Sequence, residues 1–157
     1  MTATTYKFGV QLRQGEGYEA QLDTFFRNEG FRVSAVNREM QRQGIDRVFF
    51  REHDGKLFTV EYKADSLAGK TGNAFIETVS VDTANKPGWA YSSQATVLVY
   101  LVVEPETIYW LELTKLRKQL SRWEVAYPRR TAQNDGYQTY GLLVPLHELE
   151  RIAEAVY

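Results

Sequence analysis

Cysteine is absent from this 157-residue chain and histidine occurs only twice. The first absence excludes disulfides, thiolate metal centres and a cysteine nucleophile. It fits a reducing compartment. His53 and His147 are far apart, and neither has a partner at metal-ligand spacing, so both read as surface residues. No apolar run approaches about 18 residues, the length a membrane span needs. The opening Met1–Tyr6 segment lacks the basic start and apolar core of a signal peptide. These features lead to the expectation of a cytoplasmic protein with no membrane association. No Walker-type phosphate loop exists, and Gly69-Lys70-Thr71-Gly72 is a flexible turn with a usable lysine. Neither charge sign dominates: 19 Lys and Arg against 20 Asp and Glu leave a net −1. The whole molecule therefore has no electrostatic pull toward nucleic acid. Two local basic clusters remain, Arg38/Arg42/Arg47/Arg51 and Lys115/Arg117/Lys118/Arg122/Arg129/Arg130. Each is open to reading as a solvated face or as a binding surface.

The length suits a single domain, 1–157, large enough to bury a core without staples. Tyr18, Leu22, Phe25 and Phe26 form one stripe of a helix over about 16–29, ended by Gly30. Residues 31–36 alternate as a strand and 37–44 read as a polar loop. Strands are expected near 46–52 and 57–63, a connection over 66–72, and a strand over 74–81. Asn85-Lys86-Pro87-Gly88 breaks the chain, and a short helix is expected from 89 to 95. Residues 96–103 are a continuous apolar run suited to a central strand buried on both faces. A strand over 107–113, a helix to about 122, an irregular stretch over 124–135 and a strand over 137–144 follow. Pro145 suits the first position of a last helix striped by Leu146, Leu149, Ile152 and Val156. The order indicates an α/β domain with a mixed sheet flanked by helices.

The chemistry concentrates on the hairpin. Asp54-Gly55 favours a two-residue type I′ turn. That turn would set Phe50 across from Thr59, Val48 across from Glu61 and Asp46 across from Lys63. Side chains alternate along a strand, so Asp46, Glu61 and Lys63 would share one face, with Asp46 diagonal to Glu61 at roughly 5–8 Å between β-carbons. Asp46 and Glu61 are the best metal ligands, because Mg²⁺ prefers oxygen donors and often uses one or two protein carboxylates. Lys63 is placed to orient water or offset charge on a phosphate. The competing reading is a surface ion pair between Lys63 and Asp46. Glu19 projects from the margin of the helix stripe, within about 20° of Phe26, either toward a metal site or out to water. Glu77, between Phe75 and Val79 on an otherwise apolar strand face, is a site candidate or a sheet-edge charge. Ser92 and Ser93 lack a base and read as helix caps. Trp89 and Tyr91 are open between stacking on bases and packing in the core.

Glu19 on a first helix, Asp46 opening a strand and Glu61-Tyr62-Lys63 closing the next resemble the PD-(D/E)XK nuclease superfamily over about residues 16–103. Ile45 stands where the family name has proline. The stretch from Lys70 to Glu77, with Lys86-Pro87-Gly88-Trp89, Ser92 and Ala95, resembles small phage and bacterial nuclease-like proteins. The resemblance implies a restriction-endonuclease-like fold and cleavage of DNA with Mg²⁺ or Mn²⁺. Asp46 and Glu61 would bind the metal and Lys63 would assist the water. Glu19 would be a supporting acid, and Glu77 an accessory one. A domain this small often needs a homodimer to cut two strands, and delivery to DNA by a partner protein is open, as are branched-DNA resolution, nicking and restriction. The alternative is a noncatalytic nuclease-like regulatory or DNA-binding subunit.

Overall fold

Two apolar clusters, one on each side of a single buried strand, organise the molecule. The computed structural model describes residues 17–157. The start of the expected first helix at residue 16 and the Met1–Tyr6 segment lie outside them. Helix α1 (Tyr18–Asn28) ends at Gly30, whose φ of +93° only glycine adopts freely. Strand β1 (Phe31–Ala35) and a five-residue helix α2 (Arg38–Arg42) follow. Next come β2 (Arg47–Arg51) and β3 (Leu57–Asp65). A short helix α3 (Ala68–Thr71) leads into β4 (Asn73–Val81). Past a 3₁₀ turn lie β5 (Lys86–Pro87), α4 (Trp89–Ser92), β6 (Val97–Val102) and β7 (Thr107–Glu112). The chain closes with α5 (Leu113–Ala126), β8 (Arg129–Asn134), β9 (Tyr137–Pro145), α6 (Leu146–Ile152) and β10 (Ala155–Val156).

The α/β class holds, but the single expected sheet is two. The first has the order β1-β2-β3-β6-β7-β10 and is mixed, with β3 and β6 parallel. The second, β5-β4-β9-β8, is antiparallel. Strand β4 leaves the first sheet because β6 takes the place beside β3. Val97, Val99 and Leu101 of β6 pack with Leu22 and Phe26 of α1, together with Phe49, Tyr62 and Trp110. Leu98, Tyr100 and Val102 pack on the opposite side, with Ala74 and Ile76 of β4, Leu142 and Val144 of β9, and Leu116, Leu120 and Trp123 of α5. All six residues of β6 are buried, as its unbroken apolar run requires.

The hairpin register differs from expectation by two residues. Phe50 pairs with Leu57 and Arg47 with Val60. The Asp-Gly dipeptide does not form a two-residue turn. Instead Arg51 grips Asp54 through Nε (3.0 Å) and Nη2 (2.6 Å), and Asp54 Oδ1 accepts from Lys56 N–H. Gly55, at φ +71°, then donates to Arg51 O at 2.8 Å and closes a longer loop. An even slip keeps every side chain on its predicted face.

Four local expectations also change. The polar loop over 37–44 contains α2, because Asn37 Oδ1 accepts from Met40 N–H at 2.9 Å and caps it. The irregular stretch over 124–135 holds the end of α5 and strand β8, whose residues are polar and mostly exposed because β8 is an edge strand. Pro145 is the last residue of β9, just before α6. Ser93 is buried at the C-terminal end of α4 and its hydroxyl caps no helix N-terminus; it donates to Gly44 O at 2.9 Å and accepts from Ala95 N–H. Among the described residues, no helix is long and apolar enough to cross a membrane.

Candidate active site

Glu61 is the one acid among the described residues with a buried, unpaired carboxylate oxygen. It sits on β3 with its side chain 5% exposed, on the face opposite α1. Its Oε1 pairs with Lys63 Nζ at 2.9 Å, and its Oε2 is buried with no hydrogen-bond partner among the described residues. A buried carboxylate oxygen left unpaired is expensive. Burial raises the Glu61 carboxyl above the usual carboxylate range, and the charge of Asp46 adds to the rise, while Lys63 opposes it. Ser93 borders the site, but its hydroxyl proton goes to Gly44 O. Gly44 is obligatory there: at φ +77°, an added Cβ would sit 2.9 Å from the Ser93 backbone.

Asp46 reaches the same place through the backbone. Its N–H donates to Val60 O at 2.8 Å and its Oδ2 accepts from Tyr62 N–H at 2.7 Å. Arg47 Nη1 fixes it further by donating to Asp46 O at 2.7 Å. No hydrogen bond from the described residues reaches Asp46 Oδ1. The surface pair of Lys63 with Asp46 is replaced by a pair of Lys63 with Glu61.

Glu77 comes from the second sheet. Its Oε1 accepts from Trp89 N–H at 3.3 Å, and Gly88 packs so closely that a Cβ would lie 2.4 Å from Glu77 O. Burial raises its carboxyl, against the Trp89 N–H and the charges of Lys63 and Lys86. Glu77 is therefore a cleft residue near Lys63 and not a charge on a free sheet edge.

Glu19 does not join this group. Its side chain is 56% exposed and pairs with Arg47 Nη2 at 3.3 Å. That guanidinium also binds Asp23 at 2.9 Å, and Asp23 accepts from Tyr62 OH at 2.8 Å. Tyr62 belongs to the α1-side cluster, so Glu19 lies across the sheet from Glu61 and Lys63. The helical stripe placed Glu19 at its margin, as the sequence shows. The side to which that stripe is applied depends on packing.

The face bearing Lys63 opens on a cleft of about 590 Å³ between the two sheets. Lys63, Asp65, Glu77, Trp89 and Arg130 line it. Asp65 is fully engaged: Oδ1 accepts from Leu67 and Ala68 N–H, and Oδ2 from Phe75 N–H and the Tyr100 hydroxyl. Burial, with the charge of Asp65, pushes the Tyr100 phenol well above its usual range. The roles of Ser93, Gly44 and Arg130 carry no motif and emerge only from the packing.

Among the described residues no cluster of three or more Asp, Glu, His or Cys is placed to hold a metal by itself. Two carboxylates and an unpartnered buried oxygen nevertheless suit a hard cation that keeps several waters. Most cations of the two basic clusters have structural partners. Arg51 binds Asp54, Arg117 donates to the Ala90 and Ser93 carbonyls, and Arg122 binds Glu148. No family model, curated protein or solved structure matches the chain.

Proposed function

We propose that the chain is a metal-dependent endonuclease that hydrolyses DNA phosphodiester bonds, in a restriction-endonuclease-like domain. The observation that carries this reading is Glu61. It is a buried carboxylate near Asp46, with one oxygen unpaired and the other on Lys63, which lines a cleft. The order of helix, antiparallel hairpin and parallel fourth strand, with α1 covering one face, supports the fold assignment.

Asp46 and Glu61 would hold Mg²⁺ or Mn²⁺, which when bound supplies Lewis acidity and lowers the pKa of a coordinated water. The chain's own groups do the rest. Asp46 is held at its backbone by Val60 O and at Oδ2 by the Tyr62 N–H, which reduces the side-chain freedom that a ligand oxygen would lose. The Lys63 ammonium is held by Glu61 at its base and is one-third exposed toward the cleft. There it orients a water and offsets charge that develops on a phosphate. Glu77, tied to the Trp89 N–H, sets a second acid near Lys63 in the cleft.

The test is cleavage of plasmid, branched and single-stranded DNA with Mg²⁺ or Mn²⁺, for wild type, Asp46→Ala and Lys63→Ala. Metal-dependent cleavage lost in both variants supports the reading. Identical behaviour of all three overturns it. DNA binding without Mn²⁺ binding in calorimetry assigns instead a noncatalytic nuclease-like subunit.

A further inference from the structure

The cleft beside Lys63 is built unlike a surface that follows a duplex. Most of its lining is apolar. The Phe75 ring lies over Gly141, where a Cβ would come within 2.5 Å of it, so that glycine fixes the ring position. Leu143 pairs with Phe75 on the adjacent strand, and the buried Trp89 belongs to the same lining. Leu67 also lines the cleft, with 64% of its surface exposed. Cationic groups flank this apolar wall. They are Lys63 of β3 and Arg130 of the edge strand β8, both in its lining. Arg130 forms no ion pair among the described residues. The acids in the cleft are already engaged, Asp65 by three N–H groups and a phenol and Glu77 by Trp89 N–H.

A duplex offers a protein its phosphates and the edges of its bases. An apolar pocket gains nothing from either. An unpaired nucleotide offers an apolar base face together with a charged phosphate, and base faces on aromatic or apolar side chains are the usual source of single-strand affinity. The volume, about 590 Å³, falls in the range of pockets that enclose a small molecule, roughly 300–1,000 Å³. We infer that this cleft binds one unpaired nucleotide of a DNA strand, its base against Phe75, Leu143 and Leu67 and its phosphate between Lys63 and Arg130. The nuclease therefore acts on single-stranded or locally unpaired DNA. The inference deepens the nuclease reading and rests on it for the reaction, while the binding step stands without metal.

The experiment is fluorescence anisotropy with a labelled oligothymidylate and a hairpin duplex of equal length, in EDTA, across a salt series. Wild type is expected to bind the single strand at least about tenfold more tightly than the duplex, the gain that stacking of one base supplies. Leu67→Ser and Arg130→Gln replace exposed side chains and leave the fold intact, which far-ultraviolet circular dichroism checks. Each is expected to weaken the single strand by about 3- to 10-fold. Arg130→Gln is also expected to reduce the salt slope by about 0.7, the amount for one phosphate contact on a single strand. Duplex affinity equal to or above single-strand affinity overturns the inference, as does single-strand affinity unmoved by both substitutions. Mn²⁺ calorimetry in parallel separates the two readings. Metal binding with duplex preference removes this inference alone. Single-strand binding lost in both variants, without metal binding, keeps the cleft assignment and removes the catalytic one.

Discussion

Asp46 holds the peptide on either side of Glu61: its N–H donates to Val60 O at 2.8 Å and its Oδ2 accepts from Tyr62 N–H at 2.7 Å. The aspartate thereby pins the strand, and in the proposed site it would also offer a metal ligand; two substitutions separate these roles. Asp46→Ala leaves the Tyr62 N–H without its acceptor and is expected to cost about 1–2 kcal/mol. Asp46→Asn keeps an acceptor oxygen but removes the charge. Its melting temperature is expected to stay within about 2 °C of wild type, while Mn²⁺ affinity by calorimetry falls at least tenfold. Equal Mn²⁺ binding by Asn and Asp would remove Asp46 from the metal site.

Glu61 makes stability depend on pH above the ordinary glutamate range. Burial raises its carboxyl in the folded state, so between the ordinary glutamate value of about 4.3 and the raised one the folded chain binds more protons than the unfolded chain. Its contribution to stability is fully present below that window and is lost as pH rises through it. Glu61→Gln removes this loss. The melting temperature of the variant minus that of wild type is expected to grow from pH 5 to pH 8. Divalent metal should oppose the loss in wild type only, by about 2.7 kcal/mol at a hundredfold excess over Kd. A difference flat across pH would mean that Glu61 titrates normally.

Glu19 lies on the α1 side of the sheet, across from Glu61 and Lys63. Its pair with Arg47 is exposed on the glutamate side, and Arg47 keeps Asp23 without it. Glu19→Gln is expected to change stability by less than about 0.5 kcal/mol and to leave nuclease activity within twofold. A tenfold loss would return Glu19 to the site.

Gly88 is needed for space, not for its backbone angles, since its φ is an ordinary −72°. A methyl there would collide with the Glu77 backbone. Gly88→Ala is expected to destabilise by about 1–3 kcal/mol, and to slow cleavage by displacing Glu77 from Trp89. Thermal melting and cleavage rates on one preparation check both.

Glu148 anchors the last helix. Arg122 binds its carboxylate, Trp123 Nε1 donates at 2.8 Å, Tyr127 OH at 3.0 Å and Arg151 at 3.1 Å. Arg122 first, then the indole and Arg151, hold its carboxyl well below the usual range. That stability is present above about pH 4.3 and is lost as pH falls toward the depressed value. Glu148→Gln is expected to cost about 2 kcal/mol at pH 7, and less at pH 3, by thermal melting.

Much of the hairpin was readable before any coordinates, and the register error shows why the rest was not. The alternation of β2 and β3 assigned Asp46, Glu61 and Lys63 to one face, and a slip of two residues left that assignment intact. The slip itself came from Arg51 capturing Asp54, a contact between side chains that no turn propensity contains. Strand β8 was unreadable because Arg129-Arg130-Thr131-Ala132-Gln133-Asn134 has no buried face; its pairing with β9 alone makes it a strand.

Local rules thus determined what depends on neighbours along the chain: the stripe of α1, its stop at Gly30, the two-sided burial of β6 and the shared face of the three hairpin residues. Tertiary structure decided what depends on distant surfaces meeting. Strand β4 went to a second sheet because β6 had taken the place beside β3, and that separation opened the cleft. Glu77 came to Lys63, and Glu19 went to the other side, for the same physical reason. A side chain's direction from its own backbone is a local property, whereas the group it faces is set by the packing of the whole core.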